Sequence, residues 1–143
     1  MRIVNISSKY RTILADEINY CRAKINAESD LRKKAYYYSS AYGMTRRIFN
    51  LEFDPQLQFI DFILNSSYQA IFSRIAIFMS GDNTIPITDE FFDGLSNCLE
   101  LLEDRIRNNE DTYDVLEKIV NLMSTIDGNG YYLMQKGVPV YTE

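Results

Sequence analysis

Residues capable of chemistry are few in this chain, and the densest group lies between Arg32 and Arg47. On a helical wheel Arg32, Lys33, Tyr36, Tyr37 and Arg47 fall on the side opposite the apolar line Leu31, Ala35, Tyr38 and Tyr42. Cations spaced along a helix can contact phosphate oxygens while tyrosine rings stack on bases or hydrogen-bond them, the chemistry of sequence-tolerant nucleic-acid and phosphate-ligand surfaces. No helix-turn-helix, RNP or GxxG pattern accompanies the group, and a net charge of −5 opposes a polyanion over most of the surface. The competing expectation is structural: Tyr36 or Tyr37 packs on the first helix or on a second subunit, and the arginines pair with acids from the fourth and fifth helices.

A second group is acidic. Glu100 and Glu103 stand three residues apart on one segment, with Asp104 beside them, and Asp114 and Glu117 repeat the spacing on the next. Carboxylates so spaced on neighbouring helices supply hard oxygen ligands for magnesium. The pattern resembles the ExxE plus ExxD site of all-α nucleotide pyrophosphohydrolases, and the resemblance implies Glu100, Glu103, Asp114 and Glu117 as metal ligands. The order of Asp and Glu is reversed in the second motif. With Leu99 and Leu116 turned inward, Glu100 swings toward solvent and Asp114 points almost away from the core, so the four groups are expected to form a solvated face.

Elsewhere the composition excludes more than it offers. There is no histidine, which removes imidazole bases, His-ligated zinc and Ser-His-Asp or Cys-His nucleophile pairs. Cys21 and Cys98 have no CxxC partner, lie on or beside apolar stripes, and suit buried packing in a reducing cytoplasm. Asp61, near the apolar stripe of its helix, reads as a buried polar contact, with Tyr68 the expected hydrogen-bond partner. No catalytic residue and no cofactor is assigned.

The elements that must position these groups are helical. At 143 residues and 46% apolar content, the chain is long enough for one self-sufficient domain spanning 1–143. Charge is polarised along it. Residues 1–47 carry ten Lys/Arg against four Asp/Glu and residues 48–143 five against sixteen, giving +6 and −11. A first helix is predicted over about Lys9–Glu28, capped by Ser7 or Ser8, on Leu14, Ile18, Cys21 and Ile25. A second follows over about Asp30–Phe49. Asp54-Pro55 signals the start of a third, which runs to about Ser80 with Gly81 as its left-handed C-cap.

That third helix, about 55–80, is apolar on two sides: Leu57, Ile60, Leu64, Ile71, Ile75 and Phe78 on one, Phe59, Ile63, Ala70 and Ile77 on another. Only a narrow polar strip remains, so the helix is expected at the centre of the bundle or covered by a second subunit. Its Asp61, Asn65, Gln69 and Arg74 argue against a membrane span. A fourth helix is predicted over about Asp89–Asn108 with Thr88 as cap, and a fifth reaches Asp127 before Gly128. Tyr131–Gln135 and Val138–Tyr141 flank Lys136-Gly137 and could pair as a short β-hairpin, an irregular tail being the simpler expectation.

The expected fold is therefore all-α, an antiparallel bundle of four to five helices with helix three central. The expected function is that of a small cytoplasmic interaction or scaffold protein that self-associates, as a homodimer or with a protein partner. Nucleic-acid or phosphate-ligand binding through helix two is the alternative, and magnesium-dependent nucleotide hydrolysis the third.

Overall fold

A computed structural model describes residues 6–81, 85 and 87–127, which form five helices: α1 (Ser8–Ala27), α2 (Leu31–Leu51), α3 (Pro55–Met79), α4 (Asp89–Arg107) and α5 (Tyr113–Met123). Among the described residues there is no strand, and no helix is long and apolar enough to cross a membrane. The β-hairpin expected near the C-terminus lies outside the described residues.

The helix starts follow local chemistry. Ser7, Asp30, Asp54 and Thr88 each accept a backbone N–H from the first turn of the helix they precede. Asp54 accepts from Gln56 and Leu57 at 2.8 and 3.2 Å, and Pro55 needs no partner for its nitrogen. At the far end of α3, Gly81 adopts φ 105°, a conformation open to glycine, and its N–H donates to the Phe78 carbonyl.

The fifth helix ends at Met123, before the expected Asp127. The Ser124 and Thr125 hydroxyls there donate to the carbonyls of Asn121 and Leu122 at 2.5 and 2.7 Å, competing with further helical backbone bonds.

The helices close a ring. α1 packs against both α2 and α4, α2 also against α3, and α5 bridges α3 and α4. The core between them is apolar, with Leu14, Ile18, Ile25, Leu57, Leu64 and Leu99 almost fully enclosed. Every helix of this ring meets two others, α1 lying between α2 and α4 and α3 between α2 and α5. α5, with 11 residues against 25 in α3, meets α3 at both of its ends: Tyr113 stacks on Phe59 with ring centroids 6.2 Å apart, and the Ile126 carbonyl just beyond it accepts from Arg74.

Candidate functional site

The outer face of α3 stands unpaired along most of its length. Phe62 is 64% exposed and Phe72 53%, and Ile77 and Met79 are also open to solvent. Between them lie Ser66, Gln69, Ser73 and Ala76, all exposed, with exposed Gln58 one turn before Phe62. The only charged residues of α3, Asp61 and Arg74, are turned inward and buried. Arg74 Nε donates to the Ile126 carbonyl at 3.0 Å, holding the chain that follows α5 against α3. Beside Arg74 an open groove of about 530 Å³ runs along α3 past Ser66, Ala70, Ser73 and Ile77.

The wheel had identified Phe59, Ile63, Ala70 and Ile77 as the second apolar side. It missed Phe62 and Phe72 because both sit among Gln58, Asn65 and Gln69 in what reads as the polar strip.

Asp61 has a different partner from the one expected. Its Oδ2 accepts from Arg46 Nε and Nη2, both at 3.0 Å, which ties α3 to α2 and raises the Arg46 pKa through that hydrogen bond. Tyr68 instead stacks on Tyr42 of α2 with ring centroids 5.9 Å apart. The hydroxyl pairing fails because aromatic faces fill the α2–α3 seam, and a guanidinium reaches Asp61 from across it.

On α2, Arg32, Lys33, Tyr36 and Arg47 share an exposed face, and Tyr36 is 70% exposed. Arg32 and Arg47 lie about 22 Å apart along the axis. Among the described residues none of Arg32, Lys33 and Arg47 forms an ion pair, so these cations are not the ones that meet acids of α4 and α5. Tyr37 is half-buried and turned toward α1, where the Lys24 ammonium lies 5.8 Å from its ring centroid; Tyr36 meets it edge-on at 5.8 Å. Lys24 also sits 5.6 Å from the Tyr20 ring. The i,i+4 spacing of Tyr20 and Lys24 was the available signal that α1 extends this basic, tyrosine-bearing surface.

The acidic residues are dispersed among different arginines. Glu100 pairs with Arg22 at 3.5 Å, Glu103 with Arg107 at 2.9 Å, and Asp114 with Arg105 through two bonds of 2.6 and 3.1 Å. Arg107 also reaches Asp16 on α1 at 2.9 Å. The hydrogen bonds from Arg105 hold the Asp114 carboxyl below its ordinary pKa, and Asp16 followed by Glu103 raises that of Arg107. Glu117 is exposed. Among the described residues no three of His, Cys, Asp and Glu stand together in an arrangement that could hold a metal ion.

Cys21 and Cys98 are both buried, and burial raises both thiols, Cys21 to about 12. At Cys98 the Lys118 ammonium works the other way, but burial outweighs it. No protein-family model, curated protein or solved structure matches the chain.

Proposed function

We propose that this chain is a small helical interaction protein of the cytoplasm that self-associates through the outer face of α3. The observation that carries the reading is the exposure of Phe62 and Phe72 on α3, whose own exposed residues carry no charge. An isolated surface phenylalanine is ordinary, but two on one helix whose exposed residues carry no charge, with Ile77 and Met79 also open, leave apolar surface of the kind that marks an interface. Two buried, unpaired cysteines suit a reducing compartment.

Light scattering coupled to size-exclusion chromatography, run across concentration and salt, tests the reading. A dimer that persists at high salt supports it. A monomer at several hundred micromolar removes it.

A second reading has its own observation, the unpaired Arg32, Lys33 and Arg47 around the exposed Tyr36. It assigns this face to an anionic ligand, with Tyr37 at its edge. A fluorescent single-stranded oligonucleotide should then bind with an affinity that falls steeply with salt. Charge reversal at Arg32 and Arg47 should weaken binding whatever the base sequence. Retained affinity in the doubly reversed protein would remove the reading.

A further inference from the structure

Arg74 is only 7% exposed, yet among the described residues it forms no ion pair. Its Nε donates to the Ile126 carbonyl at 3.0 Å, and its Nη1 is buried without a hydrogen-bond partner. A guanidinium taken out of water loses its hydration and recovers it only through acceptors, which is why buried charges are ordinarily paired. One neutral carbonyl serves one of its N–H groups and balances none of its charge. Asp127 lines the same groove as Arg74 but forms no ion pair with it.

We propose that this groove binds a small monocarboxylate, its carboxylate seated against the Arg74 guanidinium. The space is about 530 Å³, the size of small-molecule sites, and Ser66, Gln69 and Ser73 line it beside Arg74. The Ser66 hydroxyl already donates to the Phe62 and Ile63 carbonyls at 2.9 and 3.2 Å, so it offers a ligand an acceptor. The exposed Gln69 amide and Ser73 hydroxyl are able to donate to carboxylate oxygens. Ala70, Ile77 and Ile126 add an apolar part to the lining, suited to a short hydrocarbon body. The site stands apart from the self-association proposed above, because all its parts belong to one chain.

Charge selects the ligand class. With one guanidinium and one carboxylate on its lining, the groove suits a single negative charge placed at Arg74. A phosphate dianion gains the same guanidinium but meets Asp127 with twice the charge, and a cation meets Arg74 itself. A planar carboxylate also matches the edge of a guanidinium. Because Nη1 is enclosed, seating the ligand draws the guanidinium toward the groove and disturbs the Nε bond to Ile126.

That disturbance gives the readout. Sodium butanoate titrated into the isotope-labelled protein should shift the Arg74 Nε–H resonance and the Ser73 amide saturably. Sodium chloride at matched ionic strength sets the background. Inorganic phosphate should saturate only at higher concentration, and butylammonium should produce no shift. Ser73→Leu fills the groove from an exposed position, and should raise the butanoate Kd about tenfold or more with the helical signal unchanged. Arg74→Met should abolish the shift of the Ser73 amide, and Ser73→Leu keeps the test valid should that variant fail to fold. A butanoate shift no larger than that of chloride, or one undiminished in Ser73→Leu, overturns the site. Tighter binding of phosphate or of butylammonium overturns the ligand class.

Discussion

Lys34 Nζ, on a side chain only 6% exposed, donates to the Ile25 carbonyl at 2.6 Å. The ammonium of α2 thereby closes the C-terminal end of α1, where unpaired carbonyls gather and the helix dipole favours a cation. It also lies 5.0 Å from the centroid of the Phe92 ring, so one charge joins α1, α2 and α4. Lys34→Met should lower stability by about 1–3 kcal/mol in urea denaturation, as expected for a lost charge-assisted bond, the Ile25 carbonyl keeping only the longer Glu28 N–H bond at 3.3 Å. Lys33→Met, one residue away and exposed, should stay within about 0.5 kcal/mol.

Tyr38 gives the opposite expectation. It is fully buried, and its hydroxyl has only the neighbouring Ser67 hydroxyl beside it, without good hydrogen-bond geometry. The neighbouring Ser67 hydroxyl donates instead to the Ile63 carbonyl at 2.5 Å. A buried hydroxyl without a partner costs free energy that phenylalanine avoids, so Tyr38→Phe should leave stability unchanged or raise it by up to about 1 kcal/mol. Tyr38→Ala, which opens a large cavity, should cost about 3–5 kcal/mol. Denaturation midpoints of the two variants separate the ring's contribution from that of the hydroxyl.

The thiol of Cys21 makes stability fall in alkali. Burial pushes it to about 12 in the folded chain, whereas an unfolded cysteine ionises near about 8.5. Above that lower value the unfolded state releases a proton that the folded state keeps, so the stabilisation is complete below about pH 8.5 and is lost as pH rises toward about 12. The limiting slope for one thiol is about 1.4 kcal/mol per pH unit. Burial shifts Cys98 and Tyr38 in the same direction. Urea midpoints taken at about pH 7.5 and about pH 10 should therefore differ less in Cys21→Ala than in the parent protein. An equal loss in both would show that other groups control the alkaline limb.

Gly43 lies inside α2, and a Cβ built on it meets nothing within 4 Å. Its φ is not positive, so no turn requires glycine there. Gly43→Ala should stabilise by about 0.5–1 kcal/mol, read as a higher melting temperature. The position falls on the same outer face as Tyr36 and Arg47. A variant that gains stability but loses oligonucleotide binding would show that a ligand backbone approaches the helix at Gly43.

Much of the secondary structure was legible in the residues because its causes are local. Asp54-Pro55 caps and starts α3 within a few bonds, Gly81 ends it, and Leu14, Ile18, Cys21 and Ile25 recur at a spacing that only a helix brings to one side. Periodicity states which residues share a side. It does not state whether anything covers that side, since coverage depends on the length and placement of other helices. Phe62 and Phe72 are open although Tyr113 and Ile126 reach α3 at Phe59 and Arg74, because they lie on a face of α3 turned away from those contacts.

The functional groups divide along the same line. The arginines and tyrosine of the α2 outer face could be assembled from spacing alone, because they share one helix. Which cations stay free could not be read this way: Arg46 meets Asp61 and Arg107 meets Asp16, across 15 and 91 residues of sequence, whereas Arg32 and Arg47 meet no acid among the described residues. By itself the sequence determined the helices and the residues each could offer. The tertiary structure decided which of them are used within the fold and which are left facing outward, because ion pairing and burial depend on separation in space.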